Sequence, residues 1–328
     1  MTDAYDYDAL IVEFSTYDQY VDVVCCWHGW FEGYVGQGQF DHYPSRDLPS
    51  GKTVTPDFVV DFNSYTLVGE VCRLPNQPEG FASSVDQAVG YLDISDQTDV
   101  MLLVPHTTAA ESEKRMVDEG LLMDEQQIVV VGFVRNTDAK PCWVFNRATQ
   151  LRPTTFRDQH LGDKSLDRIL TQDMRSISIP IRRLFPMRDR FPFMNDDPPA
   201  IFTACYLWQF VFNQLLSEDE YLKRGVSGES LDIEGVTVQD LCNTCARNGI
   251  RMRVSWVRSA MSLLVDAGLA ERTEGDTYHI FYGKLRALSR GSHELHQQIA
   301  ERLSKSRASE SAEDEVSPDQ MSMDLDAI

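Results

Sequence analysis

From Thr53 to Val134 short apolar runs alternate with stretches of helical spacing, and this alternation restricts the fold more than any other feature of the chain. Thr53–Phe62 and Tyr65–Leu74 read as two strands joined by a tight Asn63-Ser64 turn, a hairpin. Gly80–Asp93 follows with a helical period that puts Phe81, Val85, Val89 and Leu92 on one face. Asp99–Val104 is an apolar run of buried-strand length. Ala109–Gly120 is a helix that Gly120 can end, Gln127–Val134 a further strand, and Cys142–Asn146 can add a short one. Strands separated by helices predict an α/β fold with a central mixed sheet flanked by helices. Upstream, part of Asp8–Trp30 reads as helix, and Gly33–Pro49 as a loop rich in Gly and aromatics.

After Leu151 the composition changes. Residues 152–199 are rich in Arg and Pro and end in Asn195-Asp196-Asp197-Pro198-Pro199, which marks a boundary. The expected organisation is an α/β domain over 1–150, a connector over 151–199, a mostly helical domain over 200–305 and an acidic, disordered tail over 306–328. In the third part Ala200–Leu216 is apolar nearly all round and reads as a buried helix, and Ser230–Gly235 as a short strand. Val238–Arg247 and Val254–Ala267 read as helices, Leu269–Tyr282 as a hairpin turning at Glu274-Gly275-Asp276, and Lys284–Ser304 as a closing helix. That order is the order of a winged helix, and LLVDAGLAERTEGDTYHIFY (263–282) resembles that family's third helix running into its wing.

The chain is acidic, with 51 Asp and Glu against 30 Lys and Arg, a net charge of −21. Such a body repels nucleic acid unless its bases are gathered in one place. Asp outnumbers Glu and Arg outnumbers Lys, the surface expected of a protein working in concentrated salt. No apolar run reaches the roughly 18–20 residues of a membrane span, so no membrane association is expected. The start, MTDAYDYD, is acidic and resembles neither a secretory signal nor a transit peptide. Seven scattered cysteines do not make a disulfide framework, and together these features predict a cytoplasmic, reducing setting.

The hairpin carries the sharpest chemical signal. TPDFVVDF (55–62) followed by LVGEVCRL (67–74) resembles the PD-(D/E)xK nuclease superfamily, with Pro56-Asp57 as the "PD" and Glu70 as the acid of "(D/E)xK". Gln87-Ala88-Val89-Gly90-Tyr91 resembles the QxxxY motif of the RecB-like branch. The resemblance covers roughly residues 10–135 and implies a restriction-endonuclease-like core. It also implies a Mg²⁺ or Mn²⁺ site on Asp57 and Glu70, and Gln87 and Tyr91 placed to bind a nucleic-acid strand. Strand alternation independently puts Asp57, Val59 and Asp61 on one face, so Asp61 is a third candidate metal ligand. Carboxylates are hard oxygen donors suited to such cations. The sequence departs from the family where its catalytic Lys belongs, because Cys72 stands there and Arg73 turns to the opposite face.

Nucleic acid, DNA above all, is thus the expected partner, with a protein partner or a second copy of the chain as the alternative. Arg182 and Arg183 in the connector and Arg251, Arg253 and Arg258 around the start of the would-be recognition helix are the candidate phosphate contacts. Two readings follow: a metal-dependent DNA nuclease with an atypical, Lys-lacking site, or an inactive nuclease-fold subunit for DNA binding or assembly. Other motifs point elsewhere than chemistry. Cys242 and Cys245 form a CxxC without a second pair, Cys25-Cys26-Trp27-His28 has a core setting, and Glu13 reads as a solvated helix position.

Overall fold

The structure, a computed structural model, describes residues 5–31, 39–62, 65–72, 78–118, 128–136, 142–147, 176–180, 197–216, 231–250, 252–285 and 295–305. They fall into two compact units. One is drawn from Gln19–Asp196, the other from Met1–Asp18 together with Asp197–Ile328.

The first unit is α/β. Its elements are α1 (Tyr7–Trp30, shared with the second unit), β1 (Gln39–His42), β2 (Arg46–Asp47), β3 (Thr53–Val54), β4 (Phe58–Phe62), β5 (Tyr65–Val71), α2 (Pro78–Tyr91), β6 (Thr98–Pro105), α3 (His106–Asp118), β7 (Ile128–Asn136), β8 (Cys142–Arg147) and β9 (Ser176–Pro180). Seven strands form one mixed sheet in the order β1-β4-β5-β6-β7-β8-β9, and β2 pairs with β3 apart from it. The hairpin β4–β5 is antiparallel, β6 and β7 run parallel to β5, and β8 and β9 return antiparallel. Each parallel step is made by a helix, α2 from β5 to β6 and α3 from β6 to β7, as parallel pairing requires.

Both faces of the sheet are covered, which explains why β6 and the first half of β7 read as continuous apolar runs. On one face Val59, Val68, Cys72, Val100, Leu102 and Val130 pack with Phe81, Val85, Ala88 and Tyr91 of α2 and Ala109 and Met116 of α3. On the other, Trp27 of α1 packs at a tilt against Phe145, and Phe31 against Phe40 and Phe62. Gly69 lies opposite Phe58 in the ladder, and a Cβ there would sit 2.0 Å from the Phe58 ring, so glycine is what lets the two strands close over that aromatic.

Several sequence expectations are corrected here. The Thr53–Phe62 strand is two strands, because Pro56 lacks a ladder donor. The Gly33–Pro49 loop contains β1, a four-residue half-exposed strand with no strong period of its own. The helix face is Phe81, Val85, Ala88 and Tyr91, with Val89 and Leu92 only partly buried at its edge. Ser176–Pro180, placed in the connector, is the edge strand of the sheet. The expected Asn63-Ser64 turn, the expected helix stop at Gly120 and the acidic tail lie outside the described residues.

In the second unit α4 (Ala200–Tyr206) widens into a π turn over Leu207–Val211 and ends in a 3-10 turn at Phe212–Gln214. β10 (Ile233–Thr237), α5 (Val238–Arg247), α6 (Val254–Asp266), β11 (Ala270–Arg272), β12 (Thr277–Ile280) and a helix over 295–305, α7, complete it. Thr237 caps α5 in a reciprocal box with Asp240, and the three strands order as β10-β12-β11. Leu241 and Cys245 of α5, and Trp256, Val257, Ala260, Met261 and Leu264 of α6, are buried. All seven cysteines are free thiols; Cys142 and Cys242 are partly exposed and the other five buried. Among the described residues no helix is long and apolar enough to cross a membrane.

Candidate functional site

Asp57 and Glu70 are brought together by the hairpin register. The last pair of the ladder is Phe58 with Gly69, and continuing that register by one step sets Asp57 opposite Glu70. Both carboxylates are buried, at 6% and 7% exposure, on the face that carries α2. The ladder ends at this point, because Val71 falls opposite Pro56. Asp57 Oδ2 takes over as acceptor for the Val71 N–H at 2.7 Å, while the Asp57 carbonyl accepts the Tyr43 N–H at 3.1 Å. The side chain thereby satisfies a buried backbone donor that would otherwise cost free energy to leave unpaired, and its orientation is fixed. Glu70 Oε2 accepts the Tyr91 hydroxyl at 3.0 Å, a bond reaching from the end of α2 to the strand.

Two buried carboxylates side by side repel one another when both are ionised, and a divalent cation offsets that repulsion. Mg²⁺ is commonly held by one or two carboxylates and completes its shell with water and substrate phosphate, so Asp57 and Glu70 are the residues that could hold such a cation. Among the described residues no group of three or more His, Cys, Asp or Glu side chains forms a metal cluster.

Asp61 does not join the pair. It lies four residues along the strand, about 13 Å away. Arg46 binds its Oδ2 at 2.5 Å and also reaches Asp41 at 3.3 Å, while Thr66 donates to its Oδ1 at 3.1 Å. Shared parity along the chain does not make Asp57 and Asp61 neighbours. Gln87 and Tyr91 also separate: Gln87 is exposed, whereas Tyr91 is buried and its hydroxyl is committed to Glu70. Cys72, at the Lys position, is fully buried in the apolar cluster beneath α2, and its N–H donates to the Leu103 carbonyl at 2.8 Å.

The opposite sheet face carries a feature the sequence reading missed. His28 of α1 lies with its Nδ1 2.6 Å from His42 Nε2 and stacks on Phe40. Cys25, Cys26 and Trp27 beside it are core residues, as their apolar setting predicts. His42 gave no signal of its own, because the pairing depends on β1. Glu13 is exposed.

The described candidate phosphate contacts of the second unit, Arg253 and Arg258, are occupied. Arg258 binds Asp276 Oδ2 through two nitrogens, at 3.0 and 2.6 Å, and Arg272 binds Oδ1 of the same carboxylate at 3.1 Å. This clamp holds the Asp276 carboxyl below the usual carboxylate range. Arg253 lies over the Trp256 ring and pairs with Asp197, which also accepts the Trp256 indole N–H at 2.5 Å. Arg182, Arg183 and Arg251 lie outside the described residues. In the CxxC, burial pushes the Cys245 thiol up to about 12 and raises that of Cys242, so neither is poised as a thiolate. No family model, no curated protein and no solved structure matches the chain.

Proposed function

We propose that the chain acts on nucleic acid, and that its first unit is a divalent-metal-dependent phosphodiesterase of the PD-(D/E)xK type that cuts DNA. The observation that carries this reading is the burial of Asp57 and Glu70 at the end of the β4–β5 ladder, where continuing its register sets them opposite. The element order supports it: a helix, antiparallel strands β1, β4 and β5, then α2 leading to a strand parallel to the one that bears Glu70. Asp57 and Glu70 would hold Mg²⁺ or Mn²⁺, which when bound polarises a phosphodiester and acidifies a water. Tyr91 acts through Glu70 as a positioning residue, and exposed Gln87 is left to meet the substrate strand. For the second unit the reading is a winged helix, supported by α5, α6 and the β11–β12 hairpin with β10 alongside.

One observation favours a second reading. Cys72 is sealed in the core at the position where the family keeps a Lys, which suits a fold retained for binding or assembly after catalysis was lost. A cleavage assay separates the two. Labelled single- and double-stranded DNA is offered to wild type and to Glu70→Gln with Mg²⁺ or Mn²⁺, from low to molar salt. Cleavage by wild type, reduced at least about 10²-fold in the variant, is the expected result. Failure of wild type to cut under every condition, with DNA binding retained, establishes the second reading.

A further inference from the structure

In a chain with so large an excess of acids, the described arginines that reach a carboxylate are tied up by it: Arg46, Arg253, Arg258 and Arg272 all pair with Asp. Two bases of the second unit, Lys284 and Arg302, are held differently and line one pocket. A pocket of about 520 Å³ opens between the end of α6, the chain after β12 and α7. Its described lining includes three bases, Lys284, Arg302 and Lys305, and one acid, Glu301. Lys305 pairs with Glu301 at 3.5 Å. Lys284 and Arg302 have no carboxylate partner among the described residues. Lys284 Nζ donates to the Gly268 carbonyl at 3.0 Å and lies over the Phe281 ring, and Arg302 donates to the Lys284 carbonyl at 3.3 Å.

These bonds hold the two cations in place without neutralising them. An ammonium has three donors and a guanidinium five, so one backbone bond each leaves most of their donors to face a ligand. Backbone contacts of this kind preorganise a site, because less side-chain freedom is lost when the ligand arrives. The lining carries a net charge of +2, which matches a ligand bearing two negative charges on closely spaced oxygens. A guanidinium fork beside a point-charge ammonium suits phosphate, whose oxygens take both.

We infer that this pocket is a phosphate-binding site, built by Lys284, Arg302 and Lys305 and separate from the Asp57/Glu70 pair. Its ligand is either a phosphomonoester or pyrophosphate, or two successive phosphodiesters of a nucleic-acid backbone. The inference does not depend on metal-dependent cleavage, and its test is run with a chelator present.

Full-length protein is titrated with inorganic phosphate and pyrophosphate by calorimetry, at ionic strength held constant with chloride. A fluorescein-labelled oligothymidylate without a terminal phosphate is titrated in parallel by anisotropy. The variants are Lys284→Gln/Arg302→Gln and, because Lys284 also ties down the end of α6, Arg302→Gln and Lys305→Gln alone on α7. Binding of phosphate or pyrophosphate, weakened at least about tenfold by the double change and in part by each α7 change, supports the site and names a free phosphate compound as ligand. Oligonucleotide binding that pyrophosphate displaces, with the same losses, names the backbone instead. If neither probe binds, or if binding is equal in wild type and all variants, the site does not exist.

Discussion

Gly69→Ala tests the hairpin that carries the acid pair. The added Cβ lies 2.0 Å from two carbons of the Phe58 ring and 2.5 Å from a third, whereas carbon atoms rest about 3.5–4.0 Å apart. Roughly 1.5 Å of movement is therefore needed. The ring cannot swing into solvent, because Phe58 is fully buried and stacks on Phe40 with centroids 5.0 Å apart. The alternative is to part the strands, which breaks the Phe58–Gly69 register. Overpacking of this kind costs about 1–3 kcal/mol, and the rigidity of both partners places it near 3. For a unit of this size that is a fall of roughly 6–12 °C in Tm. Urea and thermal unfolding followed by circular dichroism measure it directly. The clash also predicts compensation. Phe58→Ala alone costs about 3–5 kcal/mol through the cavity it leaves, but in Phe58→Ala/Gly69→Ala the new methyl enters that cavity, so the double variant is more stable than the sum of the singles by at least about 1 kcal/mol. A Gly69→Ala protein within about 0.5 kcal/mol of wild type, or strictly additive single effects, refutes the reasoning.

Tyr91→Phe removes the hydroxyl that donates to buried Glu70 and should cost about 1–3 kcal/mol in urea unfolding, while metal-dependent cleavage is weakened rather than abolished as in Glu70→Gln. Thr237→Ala removes the α5 cap at about 1 kcal/mol near neutral pH. Hydrogen bonds from Thr237 hold the Asp240 carboxyl below its ordinary range, so the reciprocal cap is intact above about pH 4 and is lost as pH falls through the lowered pKa; the gap between wild type and variant in thermal melts should narrow there. Asp276→Asn releases Arg258 and Arg272 and should strengthen oligonucleotide binding with a steeper salt dependence, whereas unchanged binding shows that this edge does not meet phosphate.

The elements legible in the sequence are those whose burial writes a period into the residues. β6 and β7 are buried on both faces, and α5 and α6 show clean helical stripes, so their bounds agree with the structure to within two residues. The antiparallel pairing of the strands that carry or flank Asp57 and Glu70 was legible too, from two apolar runs separated by a short turn. What stayed hidden depends on partners distant in the chain. β1 and β9 are short edge strands that exist through pairing, with β4 and with β8, rather than through their own pattern. Arg46 withdraws Asp61 from the acid pair, and Asp276 withdraws Arg258 from any phosphate. Neither ion pair could be read from spacing, because each joins residues 15 or more positions apart.

The distribution of thiols gives the native protein an experimental use. Five of the seven cysteines are sealed in the interior, and the two with partial exposure fall one in each compact unit, Cys142 on β8 and Cys242 on α5. A thiol-reactive spin label or dye applied to the folded chain should therefore attach at two sulfurs without any substitution. Partial burial raises the Cys242 thiol and slows its conversion to the reactive thiolate. Labelling at Cys242 should therefore quicken as pH is raised above neutrality. The donor–acceptor pair so obtained would read the distance between the two units, and its response to DNA or Mg²⁺, in the unmodified sequence.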